Sequence, residues 1–168
     1  FVPKAASGKF SNHVEHGKRH GKKFTLRTVA AFSDIPVSGW DTLAGASRID
    51  TSETSYNPFV SHAYLSSLEE SGAVSAKTGW APRHLVLEDG EGRLYGALPA
   101  YIKSHSMGEY VFDHGWADAY ERAGGRYYPK LQSSVPFTPA TGPRLMVRRG
   151  VEAGAVSHAL AGGARMLA

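Results

Sequence analysis

Apolar and polar residues alternate over Thr25–Ala30 (TLRTVA) and again over Arg83–Glu88 (RHLVLE), and this period of two predicts two strands. Asp89-Gly90-Glu91-Gly92 follows the second strand and reads as a hairpin turn. Its partner strand is Leu94–Lys103 (LYGALPAYIK), interrupted at Pro99 by a bulge or an edge. Ser33, Asp34 and Pro36 punctuate the chain before Val37–Ala46, a short predicted helix with Trp40 and Leu43 on one face. Ile49–Tyr56 is rich in Ser and Thr and predicts a loop. Asn57 is a good helix cap and Pro58 suits the first helical position. The helix they open is expected to bury Phe59, Ala63, Leu65 and Leu68, with Tyr64 beside them, and to end at Gly72. Glu69 and Glu70 fall on what reads as its solvated face. Gly79–Pro82 reads as a turn, with Trp80 as a lid on the core.

Further along, Tyr110–Phe112 is a short strand-like run whose pairing partner is not legible. A helix starts at Asp113 or Gly115, runs to about Ala123, and stops at Gly124-Gly125. Lys130–Val135 and Pro143–Val147 predict two more strands, and an Ala/Gly-rich helical pattern runs from Val151 to Ala168. Helices interspersed among antiparallel strands imply an α+β domain, without repeats or an internal linker.

Charge changes this picture only at the N-terminus. The formal net charge is +4, but residues 1–23 hold six Lys or Arg against one Glu, while the rest is nearly neutral. A segment so polar, without apolar periodicity, predicts a flexible basic arm over 1–23 ahead of a folded body over 24–168. Basic arms contact RNA and other polyanions through their phosphates. His13, His16 and His20 have helical spacing, yet Gly17 and the lack of any ligand besides Glu15 point away from a metal site. The chain has no cysteine, which excludes disulfides, thiolate zinc sites and thiol nucleophiles. No apolar run reaches the ~18 residues of a membrane span, so the cytoplasm or an organelle interior is expected, with processing of the N-terminus.

The densest chemistry lies between Gly108 and Arg144, which holds four of the eight tyrosines together with Asp113, His114, Trp116, Asp118, Glu121, Arg122, Arg126 and Lys130. Pro136 and Pro139 follow close behind. Such crowding fits a shaped surface, and fits equally a half-buried amphipathic helix beside a Pro-rich turn.

NPFVSHAYLSSLEESGAV and the long run from TGWAPRHLVLEDGEGRLYGALPAYIK to SSVPFTPATGPRL resemble the N-terminal half of the FemAB-like peptidoglycan biosynthesis/recognition family, within the GNAT acyltransferase superfamily. The resemblance spans about Thr25 to Val147. It implies a GNAT-like mixed, mostly antiparallel sheet flanked by helices, here truncated because family members are longer. It also implies transfer of an acyl or aminoacyl group to an amine, with acyl-CoA or aminoacyl-tRNA as donor. In GNAT folds the pyrophosphate of acyl-CoA binds after a splayed central strand, at a helix N-terminus. The matching place is Pro143–Val147, the loop Arg148-Arg149-Gly150 and the helix from Val151. Glu152 stands where the usual Gly-rich signature has a glycine, a departure that argues against CoA and fits either a tRNA-dependent branch or an inactive one.

Acyl transfer to an amine needs a base and donors for an oxyanion. Asp113 and His114 stand where a strand gives way to a helix; either suits the base, and His114 has the better unperturbed pKa. A capping or packing role for His114 competes with that reading. Trp116, Tyr127, Tyr128 and Lys130 are candidates for contact with substrate or phosphate, against a purely structural aromatic edge. Thr138 and Arg144 flank a rigid Pro loop able to hold an anion, with Arg144 the preferred ligand. Two functions stay open: a FemAB-like acyl- or aminoacyltransferase, or a non-catalytic GNAT-like subunit. The second would associate with a partner subunit or the remaining half of the chain, its basic arm on RNA.

Overall fold

The computed structural model describes residues 9–10, 23–45 and 57–168. Among the described residues, eight strands and four α-helices make a mixed α+β fold with two sheets, and every strand pairing is antiparallel. The strands are β1 (Lys9–Phe10), β2 (Phe24–Val29), β3 (Trp80–Pro82), β4 (His84–Asp89), β5 (Leu94–Leu98), β6 (Tyr101–Lys103), β7 (Lys130–Gln132) and β8 (Met146–Val147). The helices are α1 (Val37–Ala44), α2 (His62–Glu70), α3 (His114–Arg122) and α4 (Ala153–Leu167). The larger sheet runs β1-β2-β4-β5-β8 and the smaller runs β3-β6-β7.

The larger sheet is buried on both faces. Val29, Val86, Ala97 and Met146 meet Phe32, Trp40, Leu43 and Leu65 from the α1/α2 side. Leu26, Leu85, Leu87 and Leu98 meet Val156 and Leu160 of α4 on the other side. Burial on both faces explains why β4 and β5 read as nearly continuous apolar runs. Space for α4 comes from Gly96, where a Cβ would lie 2.5 Å from Val156 Cγ1. The Asp89–Gly92 turn closes as expected: Asp89 Oδ1 accepts from the amides of Glu91 and Arg93, each at 3.0 Å, and Gly92 takes φ +77°.

Several expectations are corrected. The segment 94–103 is two strands in two different sheets, because Pro99 has no N–H to continue the ladder. Its carbonyl instead accepts from Ser133 Oγ at 2.6 Å. Gly79–Pro82 is mostly strand, and Trp80 is 1% exposed between β6 and the Pro loop. Asn57 caps only a single 3-10 turn (58–60), and Ser61 is the true N-cap of α2, its Oγ accepting from Tyr64 N. Phe59 and Ala63 consequently face outward while Leu65 is buried. Tyr110–Phe112 forms no strand and is exposed. β8 occupies the end of the larger sheet among the described residues, rather than its centre. Of the predicted arm, Lys9–Phe10 pairs with β2; its other residues before Lys23, including His13, His16 and His20, and the whole Ile49–Tyr56 loop lie outside the described residues.

Candidate functional site

The smaller sheet carries a knot of charges. β6 and β7 place Lys103 directly across from Lys130, and β3 places Trp80 on the other flank of Lys103. The connection leaving β6 then brings back two carboxylates, Glu109 and Asp113, over the lysines. Lys130 Nζ bonds Asp113 Oδ2 and lies 3.5 Å from Glu109 Oε1. Lys103 Nζ donates to the Met107 carbonyl at 2.7 Å, lies 4.0 Å from Glu109 Oε1, and sits 3.8 Å from the centre of the Trp80 ring.

Asp113 is the hub. Tyr128 donates to its Oδ1 at 2.6 Å and Tyr127 to its Oδ2 at 2.9 Å. Burial alone would raise its pKa, but the bonds from Lys130, Tyr128, Ser106 and Tyr127 outweigh that and hold the carboxyl well below the usual range. Asp113 stands at the N-cap position of α3, yet its side chain makes no capping bond there. A cap contributes about 1 kcal/mol to a helix, so this carboxylate is committed to the cluster at the helix's expense.

The partners respond in kind. Burial and the bond to Asp113 both push the Tyr128 phenol up; for Tyr127 the bond to Asp113 is the larger cause. Lys130 is lowered by burial but raised overall by its bond to Asp113 and the charge of Glu109. Lys103 is the exception: enclosure brings it down to about 8, with Lys130 adding to that and the Glu109 and Asp113 carboxylates only partly offsetting it.

Of the residues predicted from sequence, the structure brings Asp113, Tyr127, Tyr128 and Lys130 into one hydrogen-bonded group. His114 stands apart, exposed, its ring stacked on Phe112 at 5.5 Å and 8°. Trp116 is 76% exposed on the outer side of α3. The helix is scarcely half-buried, since Ala117 alone is enclosed. Tyr120 links this face to the cluster, its ring 6.1 Å from that of Tyr127.

The Pro loop lies beside the cluster through Phe137, which packs on Trp80 and donates its amide to the Gly108 carbonyl at 3.2 Å. Thr138 Oγ1 accepts from the amide of Ala140 at 3.2 Å, closing a local turn. Arg144 braces the same loop, donating to the carbonyls of Gly142 and Ala140 at 3.0 and 3.1 Å. Arg148 turns back to the Leu94 carbonyl at 2.7 Å, over the Tyr95 ring. Arg149 and Gly150 are exposed ahead of α4, whose N-cap is Glu152.

Sequence reasoning missed Lys103, Glu109 and Ser106. A signal for Lys103 was present: it shares the inward parity of Tyr101 on β6, where an unpaired charge would not stand. Glu69 was also misplaced on a solvated face. Its Oε1 accepts from His84 Nε2 at 2.8 Å and its Oε2 from Phe32 N at 2.8 Å.

The chain matches the FemAB-like family, described as peptidoglycan biosynthesis/recognition, over residues 31–168. It belongs to that family. No curated protein and no solved structure matches it. The match covers α1 to α4, so the charge cluster and its aromatic surround lie wholly within the FemAB-like region. No helix among the described residues is long and apolar enough to cross a membrane.

Proposed function

We propose that this FemAB-like protein transfers an acyl or aminoacyl group to an amine of a peptidoglycan-type acceptor, at the surface formed by the start of α3 and by residues 127–130. The observation that carries the reading is Asp113, which forgoes capping α3 and instead orients two phenols and a lysine within a family concerned with peptidoglycan. With its oxygens occupied and its charge stabilised, Asp113 is a positioning group rather than a base. The proton of the attacking amine then falls to His114, exposed one residue further on. Lys130 directs its charge at Asp113 and Glu109 and has a third N–H for an anionic part of the donor. Acyl-CoA and aminoacyl-tRNA both present such an anion, and Arg149 and Gly150 ahead of α4 offer a second place for phosphate.

A non-catalytic reading has its own support: Asp113, Arg144 and Arg148 each hold polar partners within the chain. The basic arm would then tether the body to RNA. One experiment separates the two. The protein is mixed with a peptidoglycan-precursor amine and either donor, and the adduct is sought by mass spectrometry. The transferase reading expects an adduct, and a His114→Ala variant that melts normally but turns over roughly 10²–10⁴-fold more slowly. No adduct with either donor, together with salt-sensitive RNA binding that vanishes when residues 1–23 are removed, establishes the non-catalytic role.

A further inference from the structure

The connection between β6 and α3, residues 104–113, is built inside out. Its large apolar side chains point to solvent: Met107 is 64% exposed, Tyr110 68%, Val111 76% and Phe112 61%. Its carboxylates point inward, the Glu109 side chain 9% exposed and that of Asp113 13%, over the fully enclosed Lys103 and the mostly buried Lys130. No large apolar side chain of the stretch is buried. What holds it down is polar: Lys103 to the Met107 carbonyl, Phe137 N to the Gly108 carbonyl, Ser104 N to the Gly79 carbonyl, Lys130 to Glu109 and Asp113, and the Tyr127 and Tyr128 phenols to Asp113. A segment fastened without hydrophobic burial belongs to the low-stability end of a fold and opens well below the cost of global unfolding.

We propose that residues 104–113 are a proton-linked strap, which lies closed over Lys103 and opens by lifting away, so that water reaches the Lys103 ammonium and stabilises its protonated form. The geometry makes Lys103 the coupling group. Closed, its Nζ has one hydrogen bond, an aromatic face, and a carboxylate oxygen at 4.0 Å that is itself without a hydrogen bond. Lifted, all three N–H groups are hydrated. The groups facing Lys103 are Glu109 and Asp113 from the strap side and Lys130 from β7, while β3 presents the uncharged Trp80 ring.

The sign follows from linkage. Closed, Lys103 loses its proton near pH 8, against about 10.4 for a solvated lysine. Between those values the lifted state holds a proton that the closed state lacks, so raising the pH favours closure. Carboxylates change charge far below this window; Lys130, Tyr127 and Tyr128 are raised by Asp113 when the strap is closed and return toward about 10 when it lifts, so their opposing contribution begins only near pH 10.

The test is amide hydrogen exchange on the whole chain between pH 7 and 9, where Lys103 titrates and the tyrosines do not, each rate divided by its intrinsic value. The amides of Phe137 and Ser104, which bond across the strap's edge to the carbonyls of Gly108 and Gly79, report its lifting, and those of α4 serve as reference. The strap's opening constant should fall by about tenfold across this range while α4 stays flat. In Lys103→Met the trend should vanish. Glu109→Gln removes the carboxylate that supports the ammonium, so its trend should begin at lower pH. A flat wild-type profile, a trend that persists in Lys103→Met, or an unmoved midpoint in Glu109→Gln overturns the proposal.

Discussion

Glu69 of α2 accepts a hydrogen bond from Nε2 of His84 on β4 at 2.8 Å, inside a cage formed by Phe32, Trp40 and Tyr101. His84 Nδ1 in turn accepts from the Ala100 amide at 3.2 Å, which puts the ring proton on Nε2 and joins the two sheets where Pro99 separates them. Glu69→Ala would strand both His84 Nε2–H and Phe32 N–H in the interior. The expected loss is about 2–4 kcal/mol, from two unsatisfied buried donors. Urea unfolding measures it, and a loss under about 0.5 kcal/mol would show that water replaces the carboxylate.

The same pair sets an acid limit. Burial lowers the pKa of His84, and the Glu69 carboxylate only partly restores it. The unfolded chain therefore binds a proton below about pH 6.5 that the folded protein resists. Stability is complete above that pH and falls as the pH drops toward the lowered folded value. The carboxyl of Asp113, also lowered, adds its loss only below about pH 4. Unfolding titrations from pH 7 to 3 should show two stages, and only the first should disappear in a folded His84→Gln variant.

Asp113→Asn keeps the shape of the hub and removes its charge. Lys130, Tyr127 and Tyr128 then share a neutral acceptor with one oxygen, and the expected cost is about 1–3 kcal/mol. The phenols should then ionise closer to their ordinary range, which ultraviolet titration at 295 nm resolves. Tyrosines titrating as in the wild type would mean that the hydrogen bonds to Asp113 do not govern them.

Gly96 and Val156 should be coupled. A Cβ at position 96 meets Val156 Cγ1 at 2.5 Å and Leu160 Cδ1 at 3.1 Å, so Gly96→Ala must push α4 outward at a cost of about 1–3 kcal/mol. Val156→Ala alone opens a cavity and is also destabilising. In the double variant one defect fills the other, and its cost should be smaller than the sum of the two. Additive costs would place the helix further from the strand than the contact requires.

Much of this was legible in the residues themselves. The alternation at 25–30 and 83–88, the Asp89–Gly92 turn and the stops at Gly72 and Gly124 are local signals, and the corresponding elements lie within a few residues of their predicted positions. Asp113, Tyr127, Tyr128 and Lys130 stood out because titratable and aromatic groups rarely crowd a short stretch without a shared task. Local pattern also set the α+β class and the family. Only the tertiary structure decided which side chains meet. Pro99 divides one apolar run between two sheets, and no periodicity tells which neighbours each half will find. Lys103 and Glu69 look like surface charges until cross-strand register and helix packing enclose them, because burial depends on partners dozens of residues away. The exposed run Tyr110–Phe112 misled for the same reason: its apolar pattern suits a strand, but the ion pairs beneath it turn Glu109 and Asp113 inward and leave its aromatic side facing water.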